Sequence, residues 1–129
     1  MLKVRIITPD GLYLDTEAVQ INACSLEGEF GLLSDHMPMV AMLEISKLDI
    51  VKADSSKEYA VSGGMLQFKD NIATILTDSV EGEDEIDIER AMAAKARAEK
   101  RLQAHESDMN MRRAEIALRK AINRISVKE

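Results

Sequence analysis

Residues 87–102, Asp-Ile-Glu-Arg-Ala-Met-Ala-Ala-Lys-Ala-Arg-Ala-Glu-Lys-Arg-Leu, place cations at Arg90, Arg97 and Arg101, and the chain repeats those offsets of 0, 7 and 11 at Arg113, Lys120 and Arg124. At about 100° per residue, such steps return to within about 20° of the starting direction, so each trio forms one row along a helix. Each row flanks an apolar stripe on the same side: Ala91, Ala94, Ala98 and Leu102 in the first helix, and Met111, Ala114, Ala117, Leu118, Ala121, Ile122 and Ile125 in the second. Folded back as an antiparallel hairpin, the two helices bring like flanks together and the cationic rows converge. With rows about 8 Å apart in water, each like-charge pair costs roughly 0.5 kcal/mol. A polyphosphate or a partner's carboxylates would reverse that sign, and separating the helices would remove the penalty. The tail is therefore expected to be an anion-sensitive hairpin.

Working outward, Asp87 stands where an N-cap belongs, and the first helix is expected to run to about Ala104. His105-Glu106-Ser107-Asp108 is a break, with Ser107 or Asp108 capping a second helix that reaches about Val127. The first stripe is mostly alanine, so its packing is expected to be weak and the hairpin mobile relative to the rest. Upstream, the acidic run Glu81-Gly82-Glu83-Asp84-Glu85 marks the boundary and divides the chain into residues 1–84 and 85–129.

Residues 1–80 carry strand signals. Leu2–Ile6, Val19–Ala23 and Leu48–Ile50 alternate with period 2, and Ile72–Thr77 is an apolar, β-branched run. Pro9-Asp10-Gly11 has turn chemistry, Asp70-Asn71 suits a tight hairpin, and Gly63-Gly64 suits a bend or a close strand approach. Many short strands at this spacing imply a sandwich or a flattened barrel.

At 129 residues the chain fits one ordinary domain, or a small domain with an appended element. Aromatics at 3% and no Trp imply an aliphatic core filled with methionine. The net charge of −6 conceals an asymmetry: residues 1–86 hold 16 acidic and 6 basic side chains, net −10, and residues 87–129 hold 7 acidic and 11 basic, net +4. The basic tail is expected to dock on its own acidic body or on another acidic surface. The alternating N-terminus does not have the form of a signal peptide, and no stretch is long enough to span a bilayer as a helix. A single cysteine, Cys24, excludes an internal disulfide and a multi-Cys zinc site, which suits a reducing compartment.

Catalytic chemistry finds little footing. Cys24 and His36 could act as nucleophile and base, but no third group orients them. His36 and His105 lack carboxylates at metal-binding spacing, so no metal is expected. Gly28-Glu29-Phe30-Gly31 fits neither a phosphate-binding lysine loop nor a dinucleotide fingerprint. An acidic chain with few aromatics is not a nucleic-acid binder. No catalytic residue is assigned, and the chain is not expected to be an enzyme by itself.

Four motifs in order carry a resemblance over essentially the whole chain: Leu26–Leu33 (Leu-Glu-Gly-Glu-Phe-Gly-Leu-Leu) with His36-Met37-Pro38, Val61-Ser62-Gly63-Gly64, and Ile86–Ala91 (Ile-Asp-Ile-Glu-Arg-Ala). Together they resemble the epsilon subunit family of bacterial F-type ATP synthase. The resemblance implies an N-terminal β-sandwich of about ten strands followed by an antiparallel α-helical hairpin. It also implies a non-catalytic central-stalk rotor subunit of a proton-translocating synthase, peripheral on the cytoplasmic face of the bacterial cell membrane and held to that membrane only through the complex. The implied partners are the gamma subunit, the c-ring and, with the hairpin extended, the alpha/beta catalytic head. Interface positions match Glu29, His36 and Pro38.

In that family the hairpin restrains ATP hydrolysis when extended and permits rotation when folded, and no cofactor is required, although ATP is implied as a regulatory ligand. The Ile/Leu-Asp-x-x-Arg-Ala signature of ATP-binding members matches Ile86, Asp87, Arg90 and Ala91, and further contacts match Glu81, Arg97, Lys120 and Arg124. Lys120 stands where those members carry Arg, keeping attraction but losing the bidentate fork. The alternative is a free-standing nucleotide sensor whose hairpin closes on ATP.

Overall fold

The computed structural model describes residues 1–104 and 108–128. Leu2, Val4 and Ile6 point inward from β1 (Leu2–Thr8) and are fully buried, as the period-2 pattern requires. The chain turns through Pro9-Asp10-Gly11 into β2 (Gly11–Ala18), which pairs antiparallel with β1. Next come β3 (Gln20–Ser25), β4 (Gly28–Leu33), β5 (Met39–Val51), β6 (Ser56–Lys69), β7 (Ile72–Leu76) and β8 (Val80–Gly82). The strand order is β2-β1-β7-β6-β5-β3-β4, with β8 added to β6, and only β1 and β7 run parallel. Side chains from all eight strands meet in one mostly aliphatic cluster in which Phe68 is the largest fully buried group, so the sheet folds on itself as a sandwich.

About ten short strands were expected, and the described residues form eight. Two of them are long: β5 has 13 residues and β6 has 14, paired along their length. The register is the same on both sides of one gap, at Glu44 and Gly63 between Leu43↔Gly64 and Ile45↔Ser62, where Gly63 and Gly64 have φ of 87° and 123°. This bend lets β6 take β8 as a neighbour through Tyr59–Val61 and β7 through Met65–Lys69. Segments that look like separate short strands are halves of one bent strand. The Asp70-Asn71 turn is tight as expected, with both residues at positive φ, 53° and 62°. The Asn71 side chain accepts from Asp35 N at 2.9 Å and donates to Met1 O at 2.7 Å, tying the loop after β4 to the β6–β7 turn.

Helix α1 (Ile88–Ala104) begins at the expected cap: Asp87 Oδ1 accepts from Glu89 N at 3.0 Å and Arg90 N at 3.2 Å. It packs on α2 (Asp108–Lys128), with Ala91, Ala98, Ala114 and Ala121 all buried. The proposed caps fall partly on Ser107, outside the described residues. One stripe member departs: Ile122 is 46% exposed, because the inward row is completed by Ala114, Ala121 and Val127 and Ile122 lies about a quarter-turn aside. It is α2 that meets the sandwich, on β5 and β6. Asn123 donates to Ser46 O at 2.7 Å, Arg119 pairs with Glu44 at 2.7 Å, and Val127 packs with Ile86 and Ala60. The basic tail thus docks on the acidic body, as the charge asymmetry implies.

Gly64 has no room for any side chain, since a Cβ there would run into the Leu76 carbonyl oxygen. With its positive φ as well, Gly64→Ala is expected to destabilise the sandwich by about 3 kcal/mol or more in urea unfolding. A loss below about 1 kcal/mol would show that the bend does not depend on glycine there.

Candidate functional site

Where the sheet hands over to the helices, the strip from Glu81 to Asp87 is fastened at almost every residue. Glu81 accepts from Arg124 Nε at 2.7 Å. Glu83 N donates to Glu58 O at 3.1 Å, and Glu83 O accepts from Lys128 Nζ at 3.1 Å. Asp84 pairs with Lys57 at 2.8 Å. Glu85 accepts from the Tyr13 hydroxyl and from Gly82 N. Ile86 is buried against Val127 and Ala60, and Asp87 caps α1. The acidic run read from sequence as a boundary is the strip that fastens hairpin to sandwich.

A cavity of about 360 Å³ opens beside this strip. Its walls are Glu81 from β8, Glu85 and Asp87 from the strip, Arg90, Ala91, Ala94 and Arg97 from α1, and Arg124 from α2. The structure therefore brings together Glu81, Asp87, Arg90, Ala91, Arg97 and Arg124 from the residues named by sequence. Ile86 lies buried instead of on the wall, and Lys120 is half-buried and outside it. Glu85 and Ala94 line the cavity without having been named as site residues. Ala94 was legible as the stripe position one turn after Arg90, whereas nothing in an acidic run distinguishes Glu85 from its neighbours. Arg90, Arg97 and Arg124 bring part of both cationic rows to one place, and Arg101 and Arg113 lie exposed outside it. The chain's own carboxylates supply the counter-charge: Glu81 takes Arg124, while Arg90 and Arg97 form no ion pair among the described residues.

A second surface surrounds the other named positions. Glu29 is exposed on β4, and His36 and Pro38 are exposed in the loop that follows. The His36 ring stands edge-on to Phe68 with centroids 6.1 Å apart, and its Nδ1 lies 2.8 Å from Met37 O. The Cys24 Sγ contact is with Ser25 O at 3.7 Å. Glu29 shares a depression of about 470 Å³ with Leu26, Phe30, Val40 and Met42. Leu33 and Met37 are exposed beside His36, Met37 at 72%. These apolar residues were missed, yet a signal existed: Met37–Leu43 is seven consecutive apolar residues, and a strand cannot bury both faces of such a run in one core.

The fold and its surfaces define a β-sandwich that carries a clamped helical hairpin, with an exposed apolar face at one place and a cavity lined by cations and carboxylates at another. The family model described as ATP synthase, Delta/Epsilon chain, beta-sandwich domain, matches residues 1–83, and the corresponding long alpha-helix domain model matches residues 84–129. The chain is 44% identical over 134 residues to the ATP synthase epsilon chain of Lacticaseibacillus casei, covering 99% of this chain and 94% of that one. It is 43% identical over 126 residues to the epsilon chain of Bacillus licheniformis, covering 98% and 96%. A chain in the Euglena gracilis mitochondrial ATP synthase assembly of OSCP, F1 and c-ring superposes with TM-score 0.82 at 25% identity, over 93% of this chain and 76% of its own. A chain of the Tetrahymena thermophila mitochondrial central stalk and c-ring shares the fold at TM-score 0.63 and 15% identity, over 98% and 96%. The chain belongs to the ATP synthase delta/epsilon chain family.

The Lys57–Asp84 pair makes the fastening pH-dependent. Its hydrogen bond to Lys57 holds the Asp84 carboxyl below its ordinary range, and the same bond raises Lys57. A lowered carboxyl contributes stability above its unfolded pKa and loses it as pH falls through the folded one; a raised amine contributes at neutral pH and loses it at strongly alkaline pH. Lys57→Met is therefore expected to lower Tm at neutral pH, with the difference from wild type vanishing well below about pH 4. A difference that persists in acid would assign the effect to packing of Lys57 over the Tyr59 ring, 5.3 Å from its centroid.

Proposed function

We propose that the chain is a central-stalk rotor subunit of a proton-translocating F-type ATP synthase. In this reading the sandwich joins the gamma subunit to the c-ring through the surface holding Glu29, His36 and Pro38, together with Leu26, Val40 and Met42. No helix among the described residues is long and apolar enough to cross a membrane. The subunit accordingly sits peripherally, on the cytoplasmic face of a bacterial membrane, held there by the complex. It makes and breaks no covalent bond itself, and its part in the rotary enzyme is mechanical and regulatory.

The hairpin is the regulatory element. Clamped as observed, it leaves rotation free; released and extended along gamma, its cationic rows meet carboxylates of the alpha/beta head and restrain ATP hydrolysis. ATP favours the clamped form by binding the cavity between strip and hairpin. The observation that carries this reading is that Arg90 and Arg97, without an ion pair among the described residues, face one cavity with Arg124, beside the capped start of α1. Arg90, Arg97 and Arg124 take the phosphates. Lys120, one turn before Arg124 on the same face, adds charge from the rim. Asp87 and the backbone at Ile86 meet the base, and Ala91 leaves room for it. Glu81 completes the site.

Calorimetry of the full chain is expected to show saturable ATP binding, which Arg90→Ala and Arg97→Ala each weaken by roughly tenfold to a hundredfold. No heat up to about millimolar ATP would overturn the nucleotide reading. Separately, Met42→Asp is expected to cut co-purification with gamma and the c-ring while leaving ATP binding unchanged, because it places a charge in the apolar docking face. Undiminished co-purification would remove Met42 from the interface, and a wild-type chain that never co-purifies would leave a free-standing nucleotide sensor.

A further inference from the structure

The cavity walls carry three guanidinium groups and three carboxylates, so the site offers a polyphosphate almost no net charge. Its affinity must then come from directed N–H bonds, which reward a guanidinium that is already aimed. Arg90 and Arg97 are exposed and form no ion pair among the described residues, so no carboxylate there aims their guanidinium groups. Arg124 differs. Its Nε donates to Glu81 Oε1 at 2.7 Å, both side chains are only about one-third exposed, and its two terminal nitrogens make no other hydrogen bond among the described residues.

We infer that Glu81 is a positioning residue that acts through Arg124, seating the guanidinium by its Nε edge so that the terminal N–H groups stay available to a polyphosphate in the cavity. This rests on the nucleotide reading above and changes the part of Glu81 within it, since Glu81 then serves the phosphates and makes no contact with the base. The same bond joins β8 to the last turns of α2. A polyphosphate that bridges Arg124 to Arg90 and Arg97 therefore ties sandwich, α1 and α2 together, and its binding closes the hairpin.

The experiment titrates the full chain with ATP and, separately, with inorganic triphosphate. Glu81→Ala is expected to weaken both by the same factor, roughly threefold to fivefold for a half-exposed pair. Glu81→Gln keeps the shape and one acceptor oxygen, and is expected to show a smaller common factor. In an Arg124→Ala background neither Glu81 substitution has a further effect. If Glu81→Ala weakens ATP and leaves triphosphate unchanged, Glu81 reads the base and the inference falls. Tighter triphosphate binding would make Glu81 a competitor for Arg124 and overturn it as well. Were neither probe to bind the wild-type chain, the nucleotide reading would fail first.

Discussion

The geometry of the cavity depends on one attachment, the last turns of α2 held on the strip that leaves the sheet. Arg124 on Glu81, Lys128 on the Glu83 carbonyl and Val127 against Ile86 and Ala60 all act within one short stretch. Because α1 packs mainly on α2, this attachment also fixes where Arg90 and Arg97 stand. The Asp87 cap fixes the direction in which α1 leaves. Were the clamp to open, the two walls of the cavity would part and the site would cease to exist as a unit. In the proposed function, binding at the site and docking of the hairpin would thus be two readings of one equilibrium.

The helical half was legible because its pattern is local. A row repeated at offsets of 7 and 11 can converge only if two helices fold back, and Ala91, Ala98, Ala114 and Ala121 fill the contact as the stripe implies. The sheet was legible in kind but not in count. Period 2 identifies strands, but nothing in the sequence shows that the glycine pair bends one strand instead of ending it, because a bent strand and a turn use the same residues. Within the site, six named residues share the cavity wall, carried by a signature and a helical repeat. Lys120 could not be placed in the same way: it shares a row with Arg124, but the wall follows the strip, which reaches only the end of α2. The run Met37–Leu43 signalled that some apolar residues near Glu29 must stay exposed, but which of them do so depends on which strands cover which, a tertiary property.

The hairpin's own charges gave the right question and half of the answer. Cationic rows brought together do require negative charge, and among the described residues the closed chain pairs one row member, Arg124, with Glu81, while Glu44 takes Arg119 beside the second row. That arrangement eases the repulsion and leaves Arg90 and Arg97 without an ion pair among the described residues, the feature on which the proposed response to anions rests. A fully paired hairpin would have no electrostatic reason to respond to a phosphate, and a fully unpaired one would not stay closed.

The size of the clamp decides whether a nucleotide can govern it. Each of the two half-exposed pairs contributes at most about 1 kcal/mol, and burial of Val127 adds about 1.5–3 kcal/mol. Helix α1 contributes mostly small alanine contacts, and releasing the hairpin returns chain entropy that offsets part of the sum. The closed form is thereby held by a few kcal/mol, of the same order as the roughly 2.7 kcal/mol that a ligand supplies at a hundred times its Kd. A larger apolar contact would lock the hairpin beyond the reach of any metabolite, and a smaller one would leave it open at all times. In the proposed function, the alanine stripe and the partly exposed ion pairs, weak when judged as stabilising devices, are the features that would keep the two arrangements close enough in energy for a nucleotide to choose between them.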